Sequence, residues 1–317
     1  MSGIPVWMDC DTGMDDAVAI MLAHALSEIN LIAVSTVCGN AELDKTYWNT
    51  QRINRLINAD YPVYRGAEKP LMKPLAPAVN VHGENGLGGV ELPLPEDVIV
   101  PDVPAWDALY ACARSMPGEL RLVATAPMTN IATAFIRYPD LPGLLHSVTF
   151  MGGSAGSGNV TPAAEFNFYT DPEAAQIVLQ SGAKLVMCGL DVTNQAYYSM
   201  EQLESMAATG SRAGTFVRDC GRYAWSVFGK LGMAGFSMHD SCPVMYLAHP
   251  ELFEGKMAGV AVETRGTVTN GKSVTDLYSD KQFPFKNVLV LLKVDRDRFI
   301  SILTDCVLGI RKGAAKK

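Results

Sequence analysis

Short apolar runs alternate along this chain with segments whose apolar positions recur every three or four residues, the pattern of strands followed by amphipathic helices. "IPVWMD" (4–9) reads as a strand and "MDDAVAIMLAHAL" (14–26) as a helix, and "LIAVSTV" (31–37) and "DKTYWNTQRINRLINA" (44–59) repeat the pair. "LRLVAT" (120–125) leads into helical "PMTNIATAFIRYP" (127–139), and "SVTFMGG" (147–153) precedes "DPEAAQIVLQSG" (171–182), a helix with proline at its start. "KLVMCGLDV" (184–192) is a further buried strand. Near-continuous apolar strands spaced by helices predict an α/β fold: an open, mostly parallel (mixed) sheet with helices on both faces.

Beyond residue 200 the pattern turns helical, over 212–230 and again from Asp240. The stretch 258–278 alternates and contains Asn270-Gly271, a strong hairpin signal. "NVLVLLKV" (287–294) and "DRDRFISILTDCVLGI" (295–310) close the chain as strand and helix. The proline-rich stretch 92–104 reads as a surface connection, and no repeat or low-complexity segment divides the chain. One domain over 1–317 is expected.

Composition narrows the function. At 48% hydrophobic and 19% charged residues the chain is ordinary globular material, and a net charge of −7 offers no basic face to nucleic acid or anionic membrane. No apolar stretch reaches the roughly 18 residues of a membrane span, and no signal sequence opens the chain. Seven scattered cysteines without a Cys-x-x-Cys pair suggest a reduced, cytoplasmic protein.

Parallel sheets place their sites at the carboxyl ends of strands, and here those ends are polar. The most unusual is "DCDTGMDD": Asp9, Asp11, Asp15 and Asp16 fall close together with no cation among them. An acidic helix start, with Asp11 or Thr12 as cap, accounts for one or two of these acids. A bound divalent cation accounts for the rest. An EF-hand does not fit, because its fifth, sixth and twelfth places counted from Asp9 hold Gly13, Met14 and Ile20.

"DCDTG" after a strand also resembles the start of haloacid-dehalogenase-type Mg²⁺ phosphatases, with Asp9 as nucleophile and Asp11 as acid. That reading leaves Asp15, Asp16 and the other polar strand ends unexplained. The longer string "DCDTGMDDA" resembles the N-terminal signature of the nucleoside hydrolases, the inosine-uridine-preferring ribohydrolases. "VCGN" (37–40), "HGENGLGG" (82–89), "VATAPMTN" (123–130), "MGGSAGSGNVTPAAEFN" (151–167), "DPEAA" (171–175) and "MHDSCPV" (238–244) extend the likeness in order. Thr12 departs from the pattern, where proline is common.

The resemblance implies Ca²⁺-dependent hydrolysis of the N-ribosidic bond of ribonucleosides, of inosine-uridine or pyrimidine-preferring type. It implies Ca²⁺ held by Asp11, Asp16, Asp240 and the main-chain carbonyl of Thr125, with Asp11 as general base on a water. Asp15 and Asn167 match residues that hold the 2′- and 3′-hydroxyls, with Asn40 nearby. Asn159 and Glu165 match those at the 5′-hydroxyl, beside Met151. His239 matches the acid for the leaving base, and His82 a second histidine near it. His24, His146 and His249 read as structural or exposed. Tyr223, Trp225 and Phe228, at helical spacing, fit base stacking and core packing equally. Dimers or tetramers and a role in nucleoside salvage are further implications. A nucleoside-binding protein without catalysis is a third reading, which retention of Asp11, the metal ligands and His239 argues against.

Overall fold

The structure, a computed structural model, describes residues 3–229, 234–279 and 283–310. Among the described residues eleven strands are formed: β1 (Ile4–Cys10), β2 (Ile29–Thr36), β3 (Val63–Arg65), β4 (Arg121–Ala124), β5 (Ser147–Met151), β6 (Leu185–Cys188), β7 (Tyr197–Tyr198), β8 (Phe236–Ser237), β9 (Phe253–Val262), β10 (Ser273–Asp276) and β11 (Val288–Val294). Nine build one sheet in the order β10-β9-β11-β6-β5-β4-β1-β2-β3, while β7 and β8 form a separate ribbon. From β11 to β3 every pairing is parallel; β9 alone runs against its two neighbours.

Strand alternation divides the core in two. On β1, Val6, Met8 and Cys10 enter one core, with the helices Met14–Ala25, Arg212–Phe228, Ser241–Ala248 and Arg296–Gly309. Trp7 enters the other, with Ala105–Ser115, Thr129–Arg137 and Pro172–Leu179. The helix Met14–Ala25 is buried along almost its whole length, so it lacks the polar face of a surface helix. The predicted helices on both faces are present, and the proline start is found with Asp171 capping Ala174 N–H at 3.1 Å.

Three local expectations need correction. The segment 184–192 is not one strand: β6 stops at Cys188, and Leu190–Thr193 forms a short helix whose first amide donates to Gly153 O at 3.0 Å. Asn270-Gly271 does lie in the β9–β10 hairpin, but not as a two-residue turn. Pairing of Ser273 with Val262 leaves 263–272 as the connection, and only Gly271 there has positive φ (+81°), whereas the tight turn needs it at both residues. The helix expected over 212–230 ends at Phe228, and residue 230 lies outside the described residues.

The strand order reverses between β4 and β1: the chain builds outward through β2 and β3 on one side and through β4, β5 and β6 on the other. Their diverging connections open a crevice at the carboxyl ends, where Asp11 and Thr125 sit.

Ile20, fully buried on the central helix, tests the packing. Ile20→Ala should lower stability by about 2–5 kcal/mol, read as a shifted denaturant midpoint at unchanged slope.

Candidate active site

The acidic turn is held from both sides of β1. Asp9, on the Trp7 face, lies beside Ser35 across the β1–β2 pairing and accepts its hydroxyl, along with Asn130 Nδ2–H at 2.8 Å. Ser35 in turn accepts Trp7 Nε1–H at 2.8 Å. Burial pushes the Asp9 carboxyl up to about 7. Past the strand, the chain must bring backbone against the neighbouring loop. A Cβ on Gly39 would lie 2.0 Å from Asp11 Oδ2, and one on Gly13 would lie 2.5 Å from His82 Nδ1. Glycine at both places permits the approach.

Gly13, not Asp11 or Thr12, caps the helix Met14–Ala25, and its N–H donates to Asp16 Oδ2 at 2.9 Å. Thr12 takes another role: its hydroxyl meets Thr50 Oγ1 at 2.6 Å, tying the turn to the helix Leu43–Ile57. Asp16 Oδ1 accepts the Thr125 hydroxyl at 2.7 Å, and Oδ2 also accepts Asn40 Nδ2–H at 3.1 Å. Asn40 N–H donates to Asp11 Oδ2 at 2.6 Å, so Asn40 holds two acids at once. Asp11 Oδ1 is buried without a hydrogen-bond partner.

One carboxylate oxygen from each of Asp15, Asp16 and Asp240 lies within 4.8 Å of the others. Asp240 arrives from far along the chain, at the N-cap of Ser241–Ala248. Burial, then repulsion from Asp16, pushes Asp15 up to about 7. Burial is likewise the first cause that raises Asp11, Asp16 and Asp240, and neighbouring carboxylates add to it at Asp11 and Asp240. Among the described residues no lysine or arginine lines the cavity above them. A buried, all-oxygen cluster with an unpartnered oxygen and no protein cation is the donor set of a hard divalent ion. The tightest grouping contains Asp15, which the resemblance gives to the sugar, with Asp11 adjoining it.

The cavity measures about 610 Å³ and takes its walls from loops after several strands. Asp15, Asn40, His82, Thr125, Met151, Asn159, Glu165, Asn167, His239 and Asp240 all line it, so most of the residues singled out in the sequence converge; Asp11 and Asp16, both fully buried, are not among the lining residues. Asn167 Nδ2 donates to the carbonyls of Thr125 (3.0 Å) and Met151 (3.1 Å). Glu165 caps the short helix Phe166–Thr170, accepting Asn167 N–H at 2.9 Å and Phe168 N–H at 3.1 Å; it also accepts Gly153 N–H at 2.9 Å. Asn159 Oδ1 accepts Phe166 N–H at 3.0 Å.

Family comparison decides what such a cavity belongs to. The model of the inosine-uridine preferring nucleoside hydrolases matches residues 6–301. This chain belongs to that family. The pyrimidine-specific ribonucleoside hydrolase RihA of Salmonella newport (strain SL254) is 40% identical over 308 residues, covering 95% of this chain and 97% of the relative. A purine-preferring ribonucleoside hydrolase from Gardnerella vaginalis has the same fold, with TM-score 0.91 at 29% identity over 98% of this chain and 100% of that one. The plant nucleoside hydrolase PpNRh1 superposes with TM-score 0.90, at 29% identity over 96% and 98% of the two chains.

In this nucleoside hydrolase both cavity histidines are tethered through Nδ1. His82 Nδ1 accepts Met14 N–H at 3.3 Å, and His239 Nδ1 meets Thr193 Oγ1 at 2.8 Å. Burial lowers each to about 4. Asn80 and Phe236, which line the cavity, and Thr193, which meets His239, were not foreseen; nothing local in the sequence marks them, since only folding brings them there. The other histidines are remote: His24 meets the Tyr61 hydroxyl at 2.8 Å, His146 sits beside Arg121, and His249 lies 3.5 Å from Glu251. Trp225, 42% exposed, lines the cavity, while Tyr223 packs on the main core and on Gly83 and Gly88. The Phe228 side chain lies outside the described residues. The phosphatase reading is not favoured, since Asp9 is locked between Ser35 and Asn130.

Burial and neighbouring carboxylates raise the Asp11 and Asp240 carboxyls, so these groups hold protons that a cation must displace. Titrating Ca²⁺ into metal-free protein near pH 6 should release protons, and release should shrink as the pH is raised. Calorimetry in buffers of different ionisation enthalpy measures this; no release near pH 6 would show carboxylates already ionised.

Proposed function

We propose that this enzyme hydrolyses the N-ribosidic bond of ribonucleosides, pyrimidine nucleosides among them, and that Asp11, Asp16, Asp240 and the Thr125 carbonyl hold Ca²⁺. The observation that carries the reading is one cavity at the switch between β1 and β4, lined by Asp15, Asp240 and two tethered histidines, with the raised carboxyls of Asp11 and Asp16 fully buried beside those acids. The pyrimidine assignment rests on the RihA relative and on His239. When bound, the ion would offset carboxylate repulsion and make a nearby water more acidic.

The chain's own residues divide the remaining work. Asp15 accepts from the ribose hydroxyls, and Asn167, whose N–H groups face carbonyls, offers Oδ1 to another. Asn159 and Glu165 take the 5′-hydroxyl. Asp11, through its unpartnered Oδ1, accepts the proton of the attacking water as oxygen bonds to C1′. The C1′–N bond breaks with its electron pair going to the base, which receives a proton from Nε2 of the His239 imidazolium, a form that burial disfavours and the negative charge developing on the base favours. Thr193 at Nδ1 leaves Nε2 as the ring atom facing the base. Both residues then recover their starting state by exchange with solvent. His82 stands beside the base as a neutral donor. We further propose a cytoplasmic salvage enzyme that assembles as a homodimer or homotetramer; the seven free cysteines support a reducing compartment.

Incubating uridine, cytidine and inosine with enzyme and Ca²⁺ should yield ribose and free base by chromatography, with a chelator abolishing turnover. Phosphate release from phosphomonoesters, or binding without turnover, would replace this reading with one of its rivals. Asp15→Ala should lose at least about 1.5–3 kcal/mol of transition-state binding while still binding metal. If it loses metal instead, the close Asp15–Asp16–Asp240 grouping holds the ion directly.

His239→Ala should slow uridine by roughly 10²–10⁴-fold. A nitrophenyl riboside, whose phenolate leaves without protonation, should be slowed far less. Equal loss on both substrates would make His239 a residue that positions Asp240 rather than an acid.

A further inference from the structure

The loop after β5 carries no charged side chain over 152–158, yet its backbone is gripped by side chains from two distant parts of the chain. Asp191, on the short helix after β6, accepts Ala155 N–H at 2.7 Å and Gly156 N–H at 3.1 Å with its two carboxylate oxygens. Lys272, at the end of the β9–β10 connection, donates from Nζ to Ser154 O at 3.0 Å and to Gly156 O. The buried Ser273 hydroxyl accepts Ser154 N–H at 2.7 Å and donates to Ser154 O at 2.8 Å. Burial lowers the proton affinity of the Lys272 ammonium, and the nearby Asp191 carboxylate offsets part of that lowering. The two opposite charges therefore act on one another across the loop they hold.

The same hairpin also presses on the next functional segment. A Cβ on Gly271 would lie 2.6 Å from Tyr169 Cα, so the connection is seated against the backbone of the helix that carries Asn167. Glu165 ties the two supported segments together, accepting from Gly153 on one side and from Asn167 and Phe168 on the other. None of Asp191, Lys272 or Ser273 lines the cavity. Their work is done on the backbone between Met151 and Asn159, two residues that do.

We propose that Asp191, Lys272 and Ser273 form a clamp that positions the 153–167 segment for recognition of the substrate's 5′-hydroxyl, so that these three are positioning residues for that part of the ribose. The inference rests on the assignment of Asn159 and Glu165 to that hydroxyl. A clamp of this kind matters because a donor or acceptor displaced by about 1 Å can lose up to 10²-fold in rate. It acts only on substrates that offer the 5′-hydroxyl, and that separates it from general structural support.

The test compares uridine with 5′-deoxyuridine in the Ca²⁺-loaded enzyme. Wild type should favour uridine strongly in kcat/KM, since a site built around a hydroxyl leaves polar groups unpaired without it. Lys272→Met and Asp191→Asn should each reduce that preference by roughly 10-fold or more, with Lys272→Arg recovering much of it. The double variant should fall short of the product of the single effects, because both act on the same loop. If Lys272→Met does not fold, Ser273→Ala, which removes only a hydroxyl, is read in the same way. An unchanged preference in folded variants, or an equal fall on both substrates, overturns the clamp. No preference in wild type overturns instead the assignment of Asn159 and Glu165, and the clamp with it.

Discussion

The constraint on which this molecule turns is electrostatic. Four carboxyl groups meet in a space where burial has removed the water that would screen them, and the described lining supplies no lysine or arginine in compensation. Each hydrogen bond around them is arranged to hold a carboxylate oxygen in place: Gly13 and Asn40 at Asp16, the Asn40 amide at Asp11, the Thr125 hydroxyl at Asp16. Those bonds position the charges but do not neutralise them. The arrangement makes sense as a vessel for a cation, and the glycines at 13 and 39 are the steric condition for it.

The rest of the fold can be understood as the means of bringing acids together from distant positions. The reversal of strand order opens the crevice, β1 delivers Asp11 to it, and β4 delivers Thr125. The buried helix Met14–Ala25 carries Asp15 and Asp16 on its first turn, where the positive end of the helix dipole favours them. Packing of that helix against Ser241–Ala248 places Asp240 opposite. Core burial therefore stabilises the site indirectly: the same apolar contacts that fold the domain supply the force that holds like charges together.

Polar support continues away from the metal end. Glu165 illustrates the economy of the arrangement, since one carboxylate caps a helix, ties a glycine-rich loop and lines the cavity. Thr193 and Met14 do similar service for the two histidines, each occupying Nδ1 and so fixing which ring atom is left for a substrate. These contacts turn flexible loops at strand ends into a defined surface.

Much of this was legible in the chain alone. Alternation of apolar runs with helical periodicity determined the parallel sheet and its two helical layers, because burial on both faces demands those patterns. The crowding of Asp9, Asp11, Asp15 and Asp16 pointed to a cation, because like charges so close need one, and the ordered motifs pointed to the family. What the tertiary structure decided is which partner each residue meets. Strand alternation and register turned Asp9 away toward Ser35, and the cap fell to Gly13. The Asn270-Gly271 signal belonged to a longer connection, whose length follows from the pairing of Ser273 with Val262. Thr193, Asp191 and Lys272 were silent in the sequence. Their roles depend on contacts with residues tens of positions away, and no local pattern records such contacts; they exist only once the core has closed.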